Sequence, residues 1–358
     1  MISYLLKKLG YALFTLWGVV TLVFFLFYLM PGDPAQMMLG ENQTMEQVAA
    51  VQKKYGLDKT LGKQYLYFIN DLSPVSFHSN NADDFTHWDD RYSGSSILKL
   101  GGYHIVIKTP YLRESFQKTG KQVSEVIGDT LPNTIVLAIA SILIALFIGL
   151  ALGVISALYR DSWIDKVIQV ISTMGMSIPS FFSAIIAAYL FGYLWHEYTG
   201  LPMSGSLYEM DDYGEGIHLQ LRNLVLPALV LGIRPLAVIT QLMRNSLLEV
   251  LSQEYITTAY AKGLTTLQVI KRHAFKNALN PVVTAVSGWF ASLLAGAVFV
   301  EYIFGWNGLG KEIVDALNTK DLPVITGAVL VIASLFILIN IAVDVIYIKL
   351  DPRVKLDT

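Results

Sequence analysis

The sequence predicts an all-α polytopic membrane protein with six transmembrane helices, both termini cytoplasmic, and a small external subdomain between helices one and two. Three observations carry this. Of 358 residues, 54% are hydrophobic and 15% charged, where soluble proteins carry about a quarter charged; mean hydropathy is +0.50. Windows of roughly 20 apolar residues, enough to cross about 30 Å of hydrocarbon as helix, recur along the chain. Positive charge concentrates in alternate connections. The net charge of -2, with no long run of Lys and Arg, argues against a nucleic-acid partner. The chain contains no cysteine, so disulfides, thiolate metal sites and cysteine nucleophiles are excluded.

The first window runs from Leu9 to Met30. Lys7 and Lys8 precede it, but its length and the lack of a small-residue cleavage site make it an anchor rather than a signal peptide. The others lie near Thr134–Leu158, Val167–Leu194, Leu224–Met243, Val282–Tyr302 and Val324–Ile348. Pro179 in the third, and Pro227 and Pro235 in the fourth, predict bends.

Orientation follows the cations. Arg244–Asn277 holds Arg244, Lys262, Lys271, Arg272 and Lys276 against Glu249 and Glu254. The tail carries Lys349, Arg353 and Lys355. By contrast Trp195–Arg222 holds Glu197, Glu209, Asp211, Asp212 and Glu215 against Arg222 alone. The Arg244–Asn277 loop is therefore cytoplasmic and Met30–Asp129 external.

The stretch Gly305–Lys311 has the G-x-x-x-x-G-K spacing of a phosphate-binding loop, but Glu312 stands where a magnesium-binding hydroxyl is needed. It also falls in an external turn rather than between a strand and a helix of a soluble domain. This chain is not an ATPase.

In the external stretch, Pro31–Pro34 ends the first span. Thr44 and Gln47 form a capping box, with Gly56 as C-cap of the helix that follows. Tyr103–Lys108 alternates as a strand. Asp83, Asp84, Asp89 and Asp90 beside His87 permit a metal site, but without paired ligand spacing a solvated acidic loop is the favoured reading.

The cytoplasmic loop predicts a helix over Ser252–Lys262, capped by Gly263 in a left-handed conformation, with Lys262 near the negative end of its dipole. Ala259 and Ala261 leave room for another surface to approach. A second helix, Thr265–Leu279, is basic through Lys271, Arg272 and Lys276. From these residues alone, a docking loop and a plain positive-inside loop stand equal.

At "EYITTAYAKGL" and "RHAFKNALNPVV" the chain resembles ABC importer permeases of the dipeptide, oligopeptide and nickel branch. "MPGDPA" (30–35), "YGLDKTLGKQYLYF" (55–68), "FVEYIFGWNGLGKEIVDAL" (299–317) and "DVIYIKLDPRV" (344–354) extend the likeness over nearly the full chain. That family carries F-x-W-P-G-L-G at the glycine turn; here Asn307 replaces the proline. The resemblance implies the type I ABC importer fold. It divides the chain into an N-terminal helix (1–30), an external subdomain (31–130), a five-helix core (131–350) with the coupling loop at 244–279, and a cytoplasmic tail (351–358). The insertion at about 73–110 departs from the family, whose G-D-L-G stretch is absent.

By the same resemblance, Glu254, Tyr255, Thr258, Ala259, Ala261, Lys262, Gly263 and Leu264 form a coupling loop seated on a separate ATPase. The implied partners are a paralogous permease making a heterodimer, in which this chain is the first permease, two ABC ATPase subunits and an extracytoplasmic substrate-binding protein. Membrane lipid surrounds the whole. ATP and magnesium belong to the ATPases, and this chain holds no cofactor, metal or catalytic residue. The implied location is the bacterial cytoplasmic membrane, and the implied cargo peptides, with nickel or another small solute as the alternative.

Gly149 and Gly153, and Gly288, Ser292 and Gly296, form small helix faces read first as packing sites and second as path lining. Arg234 lies ten residues before Arg244, roughly 15 Å along the helix. A charge there lines the path and meets a substrate carboxylate, or is paired structurally. Arg234, Pro179 and Ser292 are the path candidates. A secondary transporter needs inverted repeats or paired intramembrane acids, and a membrane enzyme needs a catalytic cluster; the spans hold no His and no H-E-x-x-H or G-x-S-x-G motif.

Overall fold

Apolar windows without water to bond their backbone fold as helices, because a helix satisfies its own amides. A computed structural model describes residues 2–28, 33–39, 43–82, 84–210 and 216–350. Pro31, Gly32, Asp83, Asp211, Asp212, Glu215 and the tail 351–358 lie outside the described residues, and the side chains of 344–350 with them.

The helices are α1 (Ile2–Tyr28), α2 (Pro34–Leu39), α3 (Met45–Tyr55), α4 (Leu61–Leu72), α5 (Val123–Leu158), α6 (Trp163–Ser177), α7 (Ser180–Ala187), α8 (His196–Thr199), α9 (Arg222–Leu251), α10 (Glu254–Ala261), α11 (Thr266–Val269), α12 (Phe275–Ala278), α13 (Asn280–Gly296), α14 (Val298–Phe304), α15 (Leu309–Thr319) and α16 (Leu322–Leu350). The strands are β1 (Val75–Ser79), β2 (Gly94–Leu100), β3 (Tyr103–Lys108), β4 (Tyr208–Met210) and β5 (Ile217–Leu219). Two turns widen to π-helix, Ala188–Leu194 after α7 and Ile270–Ala274 between α11 and α12.

Among the described residues four helices are long and apolar enough to cross a membrane: Lys7–Leu26, Val123–Leu158, Arg222–Leu251 and Leu322–Val343. Two bent pairs bring the number to six if each is one span. The first, Trp163–Ser177 with Ser180–Leu194, turns by 107°. Its cause is Pro179: Ile178 before it is pushed to an extended conformation at ψ 130, and the bend expected in the Val167–Leu194 window is a full break of the helix. The second, Thr266–Ala278 with Asn280–Gly296, turns by 49°, with Pro281 in the first turn of α13. Pro227 and Pro235 lie inside a single helical element, α9.

The chain divides into two compact units. One comprises Leu5–Asp129 and Asp315–Ala333, the other Met1–Tyr4, Thr130–Val314 and Ser334–Thr358.

In the first unit, the α3 capping box forms with both bonds: Gln47 N–H donates to Thr44 Oγ1 (3.3 Å) and Thr44 N–H to Gln47 Oε1 (2.9 Å). Gly56 closes the helix at φ 68. The strand at Tyr103–Lys108 joins β1 and β2 in an antiparallel sheet of order β1-β3-β2. Its inner side holds a buried polar cluster. Asp71 accepts from Arg113 Nε (2.9 Å) and from the Tyr92 hydroxyl (3.2 Å), and the Lys108 amine donates to the Asp71 carbonyl. The acid pair to Arg113 holds that residue at a left-handed φ of 69, a conformation costly for a side chain. Asp84 accepts from Thr86 N–H (3.0 Å) and Asp89 pairs with Arg91 (2.8 Å). Among the described residues no group of three or more metal-ligating side chains occurs.

In the second unit two buried clusters follow α9. One joins Leu137, Leu226, Leu231, Leu293 and Trp306; the other joins Ile239, Met243, Leu247, Ile256 and Val269.

Candidate functional site

The loop after α9 folds as a helical hairpin. Gln253, extended at ψ 149, starts α10, and Gly263 ends it at φ 82. Gly263 N–H donates to Tyr260 O (2.9 Å) and Leu264 N–H to Ala259 O (3.4 Å), the left-handed closure that glycine makes cheap. Thr265 and Gln268 then form a capping box that starts α11.

One side of α10 is fixed. Ile256 is fully buried and Ala259 is 5% exposed, both packed with Leu247, Val269 and Ala274. Asn277 Nδ2 donates to the Tyr255 hydroxyl at 2.9 Å, tying α10 to α12. The small residue at 259 therefore serves packing within the hairpin. Glu254, Tyr255, Thr258, Ala261, Lys262 and Gly263 are exposed and Leu264 is half-buried. The second helix is interrupted by the π turn, which buries Ile270 and Ala274 and leaves Lys271, Arg272 and His273 outward.

A charged clamp fixes the C-terminal part of α9. Arg244 Nε and Nη2 donate to the two Asp165 carboxylate oxygens at 2.8 and 2.6 Å. Ser156 Oγ also donates to Asp165, and Asp161 N–H does so at 3.0 Å. Sequence reasoning placed Arg244 at a boundary and missed Asp165. The available signal was Ser162 followed three residues later by an acid, a helix-starting pattern, seen here as the Ser162 cap of α6.

Arg234 is exposed on α9, and among the described residues no hydrogen bond or ion pair to it occurs. α5, α6, α7 and α9 enclose an open, mostly apolar cleft whose lining includes Ile178 and Ile233, the sequence neighbours of Pro179 and Arg234. Ser292 lines a different opening with Thr284, Gly288 and Trp289. Neither Pro179 nor Arg234 lines that cleft itself, and Ser292 belongs to another opening, so the structure does not bring the three path candidates together.

The two glycine faces also differ. A methyl group on Gly153 would stand 2.6 Å from Met243 Cβ, and one on Gly149 2.9 Å from Ile239 Cγ2. At Gly288 and Gly296 it would meet nothing within 4 Å.

The phosphate-loop spacing at Gly305–Lys311 receives a physical account. Gly310 N–H and Lys311 N–H, at the start of α15, donate to Glu301 Oε2 at 2.7 and 3.2 Å. Glu301 is fully buried. The amides that would cradle a phosphate hold a carboxylate of the same chain. Gly308 is required because a Cβ there would lie 2.4 Å from that oxygen.

These features define a multi-span membrane subunit with a packed helical hairpin after α9 and no metal-ligating cluster among its described residues. Its fold is that of a transporter permease. The chain aligns with inward-facing structures of the MetNI methionine ABC transporter at TM-scores of 0.51 and 0.50, with 17% and 19% identity, covering 64% and 63% of this chain and 97% of each of theirs. The chain belongs to the family of binding-protein-dependent transport system inner membrane components, which matches residues 149–356, with the N-terminal region of such components matching 1–84. It is similar to the di/tripeptide transport system permease protein DppB of Pseudomonas aeruginosa (34% identity, 99% of both chains). It is likewise similar to the dipeptide permeases DppB of Alkalihalophilus pseudofirmus (32%, 99% of this chain and 100% of that one) and Escherichia coli K12 (32%, 99% of both). The chain is therefore an ABC transporter permease, a multi-pass component of the cytoplasmic membrane.

Proposed function

We propose that this chain forms half of the translocation path of an ATP-driven peptide importer, paired with a paralogous permease and moved by two separate ATPases. A substrate-binding protein delivers cargo from outside, and both termini lie in the cytoplasm. The observation that carries this reading is the hairpin 254–278: one side is locked by Ile256, Ala259 and the Tyr255–Asn277 bond, while Glu254, Thr258, Ala261 and Lys262 are left open. A lever needs such a division, stiff inside and available outside. Full-length similarity to dipeptide permeases supports peptides as cargo.

Glu254, Tyr255, Thr258, Ala261, Lys262, Gly263 and Leu264 form the ATPase contact, with Ala259 supporting it from within. Arg234 meets the carboxylate of the passing peptide, since a mid-span charge without an internal partner must face water or cargo; Pro179 shapes the cleft beside it. The chain itself holds no nucleotide, ATP and magnesium residing on the ATPases. The test is cysteine cross-linking from Lys262→Cys to a co-purifying ATPase, with dipeptide uptake measured in parallel. Uptake without any ATPase partner would overturn the reading. For Arg234→Met, uptake should fall about tenfold or more with assembly intact, as loss of a charge-assisted bond predicts; unaltered uptake removes Arg234 from the path.

A further inference from the structure

We propose that the apolar face of the β1-β3-β2 sheet lies on membrane lipid, so that the 73–110 insertion is a membrane-lying element at the end of the first crossing. This rests on the reading of Lys7–Leu26 and Leu322–Val343 as crossings.

Pairing of Val75 with Ile107, Phe77 with Ile105, Leu98 with Ile105, and Leu100 with Tyr103 puts these side chains on one face. Val75, Phe77, Leu98, Leu100, Tyr103 and Ile107 are each 51 to 60% exposed. Lys99 pairs with His104 and so falls on the other face, where Ser76, His78, Val106 and Lys108 are buried. The open face therefore presents no charge. A contiguous apolar surface of this kind on a water-facing domain calls for a cover.

The depth of the preceding helix identifies the cover. The hydroxyls of Tyr65 on α4 and Thr21 on α1 bond at 2.7 Å, and the Phe68 ring stands 5.5 Å from Phe24. Phe68 shares one buried cluster with Val20 and Leu330. Val20 lies six residues before the crossing's end at Leu26, about 9 Å along the helix. Leu330 lies eight residues after the start at Leu322, about 12 Å. Two crossings thus independently place the last turns of α4 inside the apolar layer. Only Ser73 and Pro74 separate α4 from β1, and the three steps from Leu72 to Val75 reach at most about 10 Å. The sheet therefore begins at the boundary between headgroups and acyl chains.

The sheet edge is suited to that place. An open strand edge is costly where water is scarce, and Asn70 on α4 covers the β1 edge. Phe77 N–H donates to Asn70 Oδ1 (2.8 Å) and Asn70 Nδ2 donates to Phe77 O (2.9 Å). α1 in the same unit likewise exposes Phe14, Trp17, Leu22 and Phe25.

The absence of native cysteine makes the test direct. Phe77→Cys, Leu98→Cys and Tyr103→Cys are each nitroxide-labelled, and the importer with its co-purifying subunits is placed in nanodiscs. Accessibility to oxygen and to a water-soluble nickel chelate is then read by power saturation. Oxygen should exceed nickel at all three sites, as at Phe14→Cys, while Lys53→Cys on α3 reads the reverse. Nickel access at the sheet matching Lys53 overturns the proposal, and exclusion of both reagents assigns the face to a protein partner instead. If Phe14 also reads as water-exposed, the crossing itself fails.

Discussion

The two glycine faces predict opposite signs for the same substitution. In Gly153→Ala the new methyl would stand 2.6 Å from Met243 Cβ and 2.8 Å from Thr240 O. Carbon atoms rest at about 3.5–4.0 Å, so α5 and α9 must part by about 1 Å. Met243 and Thr240 are fully buried, and a backbone carbonyl cannot turn aside. Overpacking of this kind costs about 1–3 kcal/mol, offset in part by the gain of about 1 kcal/mol when alanine replaces glycine in a helix. The net is a loss of up to about 2 kcal/mol with uptake reduced. In Gly288→Ala no atom lies within 4 Å, so only the helix gain of up to about 1 kcal/mol remains. At about 2–4 °C per kcal/mol, the assembled complexes should separate by several degrees in apparent Tm. Fluorescence-detected size exclusion after heating measures this. A Gly153→Ala complex as stable as wild type refutes the packing argument; a Gly288→Ala complex that loses as much refutes the open groove.

Three further outcomes are expected. Gly308→Ala should displace the Glu301 carboxylate and strand Gly310 N–H, costing about 2–4 kcal/mol by the penalty for unmade buried bonds; the amount of properly inserted protein falls, while Lys311→Ala, which keeps its backbone N–H, is tolerated. Arg244→Met leaves buried Asp165 with a lost bidentate partner, and because Arg244 is partly exposed the cost falls below the 3–5 kcal/mol of a fully buried pair; ATPase activity of the assembled importer should stop responding to cargo, and the double variant with Asp165→Asn should recover part of the loss. Burial pushes the Lys108 amine from 10.5 down to about 8 and pushes the Tyr92 phenol up from 10.0. Between about pH 8 and 10 the unfolded chain holds a lysine proton that the folded sheet lacks, so stability of this unit rises with pH there; thermal melts should show that slope and Lys108→Met should remove it.

Local features of the fold were legible and distant ones were not. Pro179, the Thr44–Gln47 box and Gly263 act within a few residues, so sequence spacing carries their geometry: the 107° break, both cap bonds and the φ of 82. β3 was legible from its alternation, but β1 has five residues and β2 polar residues at its start, too little pattern to separate from loop. Asp165 and Arg244 stand 79 positions apart, and only packing of α6 on α9 joins them. The direction of Ala259 depends on helix phase: Ile256 and Ala259 share one face, and the hydrophobic residues across the hairpin claim it. The glycine turn mimics a phosphate loop because phosphate and carboxylate ask the same thing of backbone amides; spacing excluded the phosphate, but that Glu301, nine residues upstream of Gly310, is the anion was visible only in the structure.

The same helix carries both halves of the proposed machine. Arg234 and Ser252, where α9 meets the hairpin, are 18 residues apart, about 27 Å of helix, and α9 is one helical element across that distance. Along it, Gly149 and Gly153 admit Ile239 and Met243, Asp165 holds Arg244, and Leu247 packs on Ile256. Each contact fixes α9 to a neighbour at about one-turn intervals, so no segment between the hairpin and Arg234 is free to absorb a displacement. A push delivered to α10 therefore arrives at the cleft as motion of whole helices rather than as local bending. A break lies at Pro179, next to the cleft-lining Ile178, where the backbone between α6 and α7 is not helical. In the proposed machine, that break lets the wall at Ile178 shift while Ile233, and with it Arg234, keeps its place on α9. Inserting a glycine pair within α9 at Gln241 and Leu242 should accordingly uncouple ATP hydrolysis from uptake without preventing ATPase binding. Retained coupling in that variant would show that the signal travels by another helix.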